Sequence, residues 1–343
     1  MRKVILIAII AISASMANAQ DITDALRYSE DGIQGTARFR GLSGAFGALG
    51  GDMSAVNINP AGSAIFNDSH ISFSLSNLQT KNESQYYNGI SNSKTSRFDL
   101  NQSGAAFIFH NNNENSNWKK FAVSFAYDKV EDYDNNWFAI GTNSNNSIDS
   151  YFLAYGNGRR LDEISALPGE TYSQAYTAIG SIYGYGNQQA FLGYESYILE
   201  PVTNEDGNTS YTSNIASGEY YQNYSFASAG YNGKFNVNAA TQFGDKIYLG
   251  INLNTHFVNY ERSTFLLETN NNTGSIVSQA RFGNNLFTIG SGFSFQLGTI
   301  VKLTNQLRAG ISFNSPTWFS ISEETSQSLR TIIDDSGTDT SIN

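Results

Sequence analysis

The chain has 343 residues, with 20 Lys and Arg against 30 Asp and Glu, a formal net charge of −10 and no cysteine. That acidic balance repels nucleic acid, and the lack of cysteine excludes a disulfide-stapled scaffold. Only 4 prolines stand against 31 glycines, 20 tyrosines and 23 phenylalanines, a mixture rich in β-formers with loops of Asn, Ser and Gly.

At the start, Arg2 and Lys3 precede an apolar run over residues 4–12, and Ala17-Asn18-Ala19 supplies the small-x-small pattern of a signal-peptidase site. Residues 1–19 therefore read as a secretory signal peptide, with the mature chain beginning near Gln20. Removing Arg2 and Lys3 from the 20 basic side chains leaves 18 against 30 acidic, a net of −12. The leader is too short to span a bilayer, and no later stretch approaches the roughly 20 apolar residues of a spanning helix.

Residues 20–68 form a second unit. Gly41, Gly44, Gly47 and Gly50 recur at every third position with Gly51 beside them, which suits close packing against a wall or turns with positive φ. A phosphate-cradling loop is the alternative, but no hydrophobic strand precedes these glycines. Asn57, Ile58, Asn59, Pro60, Ala61 and Gly62 follow. Proline forces Asn59 out of helical geometry and Gly62 permits a sharp turn, giving a compact irregular knot. Such backbone survives at membrane depth only when enclosed by protein, so the unit is expected to be a plug.

From residue 69 onward the pattern has a period of two. Apolar side chains alternate with small or polar ones at 70–76, 98–109, 121–128, 235–243, 247–254, 287–297 and 307–314, seven strands of which most are long enough to cross a membrane with tilt. Short connections at Gly244-Asp245, 304–306 and 110–117 are expected to alternate with long ones at 79–97, 131–232 and 261–285. This predicts an all-β fold, a transmembrane antiparallel β-barrel over residues 69–343 with an external loop at 131–232 and a first strand running outward. The competing architecture is a secreted β-sandwich or solenoid, whose strands are usually shorter. Seven strands would leave two unpaired edges, and the polar ending lacks an amphipathic last strand, so the chain is expected to be the N-terminal part of a longer barrel.

Within the long loop, Leu161, Ile164 and Leu167 fall at helical spacing, and Tyr176, Ile179 and Tyr183 repeat it beyond Pro168 and Gly169. These residues either pack two short helices on the barrel rim or form a greasy external site for an acyl chain. In the second case Arg159 or Arg160 would meet the carboxylate.

The segment SGAFGALGGDMSAVNINPAGSAIF resembles the N-terminal hatch of the FadL-type long-chain fatty-acid and hydrocarbon transporters of Gram-negative outer membranes. There a Gly- and Ala-rich stretch leads through an acidic residue, here Asp52, to Asn-Pro-Ala, here Asn59, Pro60 and Ala61. The hairpin GTIVKLTNQLRAGISFNSPT, residues 298–317, is similar to the family's strand-turn-strand with Arg-x-Gly and a closing Ser-Pro-Thr. The resemblance implies a monomeric barrel of about fourteen strands, with Gly44, Gly47, Gly50, Gly51, Asn59, Pro60, Ala61 and Gly62 in the gating hatch. It also implies hydrophobic small-molecule ligands and lateral release to membrane lipid through a gap in the wall.

Passive uptake of hydrophobic molecules is the expected function. The alternative is a scaffold or shuttle component of a protein secretion system, a role that some FadL-like barrels serve. His70, His110 and His256 are widely separated, and there is neither a metal-spaced His/Cys cluster nor a Gly-x-Ser-x-Gly elbow. No enzyme activity, metal or cofactor is expected, with a Ser-His or Asp-His hydrolase as the competing class.

Overall fold

A computed structural model describes residues 22–30, 32–333 and 338–342, so the expected signal peptide lies outside the described residues. Helix α1 (Ile22–Ser29) leads into a short α2 (Ala37–Gly41) and two 3-10 turns, Ser54–Asn57 and Pro60–Ile65. Four strands follow: β1 (His70–Tyr86), β2 (Gly89–His110), β3 (Trp118–Asp132) and β4 (Asn135–Asn143). Next come α3 (Asp149–Gly156), α4 (Tyr172–Tyr183) and α5 (Tyr185–Glu195), with the small strands β5 (Leu199–Pro201) and β6 (Tyr211–Ser213). The chain continues as β7 (Tyr220–Phe243), β8 (Ile247–Thr269), β9 (Val277–Lys302), β10 (Arg308–Asn314), β11 (Trp318–Ile333) and β12 (Thr338–Ile342).

Ten strands make one antiparallel sheet in the order β1-β2-β3-β7-β8-β9-β11-β12. β4 pairs with the first part of β7, where β3 has ended, and β10 pairs with the last part of β9. The sheet curls into a half-barrel of all-β character. Among the described residues no helix is long and apolar enough to cross a membrane.

Each of the seven expected strands lies wholly or almost wholly within an observed one, but β1, β2, β7, β8 and β9 run 17 to 26 residues. The connections expected at 79–97 and 261–285 are mostly strand, closed by Tyr87-Asn88 and by residues 270–276. Both ends of the stretch 131–232 are strand too, which leaves 144–219 as the one long connection among the described residues. The reason is chemical. Beyond the apolar part, Ser, Thr, Asn and Lys occupy both faces, as in Lys81-Asn82-Glu83-Ser84 paired with Ser91-Asn92-Ser93-Lys94, so the ladder persists after the hydrophobic alternation stops.

The polarity of the sheet is inverted relative to an ordinary core. On the convex face Phe73, Phe125, Phe235, Leu253 and Ile289 are exposed, whereas on the concave face Asn236, Asn238, Asn252 and Thr288 are buried. Tyr28 of α1 covers Thr288, and residues 32–69 cover the asparagines, seated against the concave side of β3, β7, β8, β9 and β10. Residues 144–219 cap the end of the sheet beyond Tyr87 and the 270–276 turn. Their core of Phe152, Ile164, Phe191, Leu192 and Ile198 continues onto Val277, Ala280 and Leu329 of β9 and β11. Fully burying each such side chain contributes about 1.5–3 kcal/mol, so this helical cap is anchored by apolar contact.

Candidate functional site

The N-terminal segment is shaped by local bonds. Thr36 donates its hydroxyl to both Asp52 carboxylate oxygens, at 2.9 and 2.8 Å, and the Ser54 amide donates to Asp52 Oδ1 at 2.9 Å. Asp52 thus ties α2 to the first 3-10 turn. Asn59 caps the second turn by accepting from the Ala61 amide at 3.1 Å, with Pro60 at the first position, where a missing N–H costs nothing. Its Nδ2 donates outward to Gly47 O at 2.8 Å and Thr299 O at 3.1 Å, joining segment and wall.

The wall answers with amides. Asn238 Nδ2 donates to Pro60 O at 3.0 Å, and its Oδ1 accepts from Ser63 Oγ. Asn252 Nδ2 donates to Val56 O at 2.8 Å, Gln296 Nε2 to Asn57 O at 3.0 Å, and Asn236 Nδ2 to Asn57 Oδ1 at 3.0 Å. Close approach is possible because Gly250 and Gly298 carry no side chain where Pro60 and Asn59 sit. A cavity of about 340 Å³ remains between the segment and the wall, lined by Phe39, Asn57 and Ile58 on one side and Asp128, Lys234 and Gln296 on the other.

The eight expected hatch residues all lie in this unit. Gly44, Gly50 and Gly51 adopt positive φ of 72°, 62° and 66°. Gly62 lies against Gly50, and Asn59, Pro60 and Ala61 face the wall. Gly47 acts through its carbonyl, on Asn59 and beside Gly310, and has open space at its own Cα.

A break in the wall lies next to the inner cavity. The β2–β3 ladder runs from His110↔Lys120 only as far as Gln102↔Asp128. At that point Asn101 is extra, since Ser74 pairs with Gln102 and Leu75 with Leu100. Such a bulge bends its strand and interrupts pairing. β2 leaves β3, and a cleft of about 410 Å³ opens between them, lined by Asp99, Leu100, Ser103, Tyr127, Tyr231 and Phe235. Tyr127 lines this cleft and the next residue, Asp128, lines the inner cavity, because neighbours on a strand point to opposite faces. Above the cleft, Lys129 bonds to the carboxylates of Asp99 and Asp132, and Arg97 pairs with Asp134.

A larger cavity, about 750 Å³, lies under the helical cap. Tyr86 and Tyr87 from the β1–β2 tip, Trp137 of β4, Tyr224 of β7, Phe282 of β9 and Ile148 before α3 supply its apolar walls. Trp137 stands 5.5 Å from the rings of both Tyr224 and Phe226. The tip reaches the cavity because two glycines let it rest on β4: a Cβ on Gly89 would lie 1.7 Å from Ile140 O, and one on Gly141 2.3 Å from Tyr86 O. Tyr87 is held at φ +48°, unfavourable for a residue with a Cβ.

The expected ligand residues of the loop are placed elsewhere. Leu161, Ile164 and Ile179 are buried in the cap's own core. Tyr176 packs on that core and donates to Gln327 Oε1 at 2.7 Å, at the edge of a further cavity. Leu167 and Tyr183 are exposed. Arg159 is occupied by Tyr155 O, at 2.8 Å, and by the Asn187 side chain. Of the two expected helices, 161–167 forms a single 3-10 turn, Leu161–Glu163, and the second is α4, begun by a Thr171–Gln174 capping box. Glu195 accepts from the Ala166 amide at 2.8 Å, and burial pushes its carboxyl pKa up.

The aromatic pocket escaped the sequence pattern because its walls come from five strands, a loop and α3. The only local signals are the Tyr86-Tyr87 pair and an isolated Trp137. Of the histidines, His256 Nε2 meets Ser294 Oγ at 2.8 Å on the concave face, where Asn254 Nδ2 also donates to that hydroxyl at 3.2 Å. His110 meets Asn67 O, and His70 stacks on Phe66. Among the described residues no three His, Asp or Glu side chains are grouped to hold a metal ion.

No family model, curated protein or solved structure matches the chain.

Proposed function

We propose that the chain forms barrel wall and hatch of an outer-membrane port through which hydrophobic molecules pass without an energy source, as in the FadL-type transporters it resembles. The inverted polarity of the sheet carries this reading. On β8 the outward side chains Ile247, Leu249, Ile251, Leu253 and Phe257 cover about eleven residues, the span a tilted membrane strand needs, before Asn259, Glu261 and Ser263 turn the outer face polar. Similar rows on other strands of the sheet, such as Ile71, Phe73 and Leu75 of β1 and Phe287, Ile289 and Phe293 of β9, form with it an exposed face far larger than a water-soluble monomer carries.

Residues 32–69 then act as the hatch, the cavity under the cap as the outer entry, and the β2–β3 cleft as the side exit into lipid. Passage is favoured over a scaffold role by that cleft, which has no use in a structural support. The port is placed in the outer membrane of a Gram-negative cell, reached after removal of the signal peptide.

The test is uptake of a labelled long-chain fatty acid and a labelled hydrocarbon by cells carrying the gene, against cells lacking it. A deletion of residues 41–62 should change uptake. Equal uptake with and without the gene rejects the port, and unchanged uptake after the deletion rejects the hatch.

A further inference from the structure

The cavity under the cap has a chemistry that separates two classes of hydrophobic molecule. No charged side chain lines it: its polar lining is Ser84, Gln85, Asn143, Asn146, Ser147 and Gln222, together with tyrosine hydroxyls. Two of these polar side chains, Gln222 and Asn143, are bonded within the lining. Gln222 Oε1 accepts from Tyr86 OH at 2.5 Å and from Asn143 Nδ2 at 3.2 Å, and Asn143 Oδ1 accepts from the amides of Asn145 and Asn146 at 2.8 and 3.1 Å.

Directly behind this layer lies a buried carboxylate. Glu268, 1% exposed, receives Gln222 Nε2 at 2.6 Å, the Ile148 amide at 2.9 Å and the Ser147 hydroxyl, so three donors converge on its two oxygens. Those three donors are thus turned away from the cavity. Burial, against a hydrogen bond from Asn143 and with smaller contributions from Tyr87 and then Glu268, pushes the Tyr86 phenol pKa up.

A fatty-acid carboxylate entering here would be stripped of water, find no cation, and face another carboxylate across one layer of amides. Burying an unpaired charge costs several kcal/mol, and a like charge adds to it. An uncharged apolar body meets none of these costs and gains by leaving water against Trp137, Tyr224 and Phe282. A volume of about 750 Å³ is in the range of small-molecule sites.

We propose that this outer cavity binds uncharged apolar molecules, such as aromatic hydrocarbons and long-chain alcohols, and rejects fatty-acid carboxylates, an inference that rests on reading the chain as a port for hydrophobic molecules. Substrate choice is then made at the entry, by an absent cation and a buried anion.

Trp137 lies in the wall and reports on occupancy. The detergent-solubilised full chain is titrated with a terminally brominated dodecanol and with the matching dodecanoate, each quenching tryptophan at contact. The alcohol should quench at a concentration about tenfold lower than the acid at neutral pH, and Trp137→Phe should abolish that component. Tyr87→Lys, at an exposed position of the mouth, should bring the acid to within about threefold of the alcohol. Equal quenching by both compounds, no quenching by the alcohol, or quenching that survives Trp137→Phe would overturn the proposal. Uptake by cells is a separate readout: a port that fails admits neither compound while the alcohol still quenches Trp137, whereas a failed selectivity admits both.

Discussion

Asn59 and Gly298 are fitted to one another, since a Cβ on Gly298 would lie 2.1 Å from Asn59 Oδ1 and 2.7 Å from Pro60 Cδ. Gly298→Val is therefore expected to lift residues 59–62 off β9 while leaving the sheet paired. Limited proteolysis should then cut within residues 32–69 about tenfold faster than in the parent, which corresponds to about 1.4 kcal/mol of lost docking. Unchanged protection would show that the contact does not hold the segment.

Asn238 makes the most connected amide contact with the segment, bonding Ser63, Pro60 O and Asn252. In Asn238→Leu the buried Asn252 Oδ1 loses its donor, and the Pro60 carbonyl keeps only Ser63 Oγ at 3.3 Å. The expected loss of docking is about 1–3 kcal/mol, the penalty for an unsatisfied buried polar group. Amide hydrogen exchange over residues 56–64 should accelerate by one to two orders of magnitude. Exchange at the parent rate would place the holding energy elsewhere.

The cleft between β2 and β3 depends on one extra residue. Deleting Asn101 would make the β1–β2 register continuous and allow the β2–β3 ladder to extend past Gln102↔Asp128. Uptake is expected to fall while Trp137 still senses ligand, because the exit closes and the entry does not. Undiminished uptake by a well-folded deletion variant would dismiss the cleft as the exit.

Gly141 carries the β1–β2 tip. A methyl group there would sit 2.3 Å from Tyr86 O, so Gly141→Ala should push Tyr86 and Tyr87 away from β4 and admit water to the cavity. Trp137 emission should shift to the red and become more accessible to acrylamide. The same spectrum as the parent would mean that the tip is not seated by this glycine.

Burial raises the carboxyl pKa of both Glu195 and Glu268 above the ordinary 4.5. Between that value and the raised one, the folded cap holds protons that the unfolded chain has released. Their contribution to stability is complete below the ordinary value and is lost as pH rises through the raised ones. Glu195→Gln keeps an acceptor for the Ala166 amide but cannot ionise. It is expected to flatten the gain in thermal stability on acidifying from about pH 7 to about pH 5. A profile identical to the parent's would mean that Glu195 takes no part.

The part of each strand with an apolar outer face was legible because apolar side chains alternate there with small or polar ones, as in Ile247-Tyr248-Leu249-Gly250. Where that alternation ends, so did the signal: residues 79–86, 89–97, 261–269 and 277–285 stay extended through backbone pairing, with side chains such as Lys81, Asn82, Asn92 and Ser93 breaking the apolar period. The compact shape of residues 41–62 could be read because its geometry is local, with Pro60 fixing Asn59 and glycines taking positive φ. The outer cavity could not, because Tyr86, Trp137, Tyr224 and Phe282 are brought together only by the sheet order. Leu161, Ile164 and Ile179 looked suited to a ligand for the same reason that they suit a core: apolar spacing does not say what covers it.

The docking of Asn59 joins residues 240 and 252 positions apart, through Thr299 O and Ile311 O. Residues 32–69 therefore have no place to rest until β9 and β10, far along the chain, have been laid side by side. Loop closure over so many residues is slow, so folding includes an interval in which the sheet is paired and residues 32–69 are not yet seated on it.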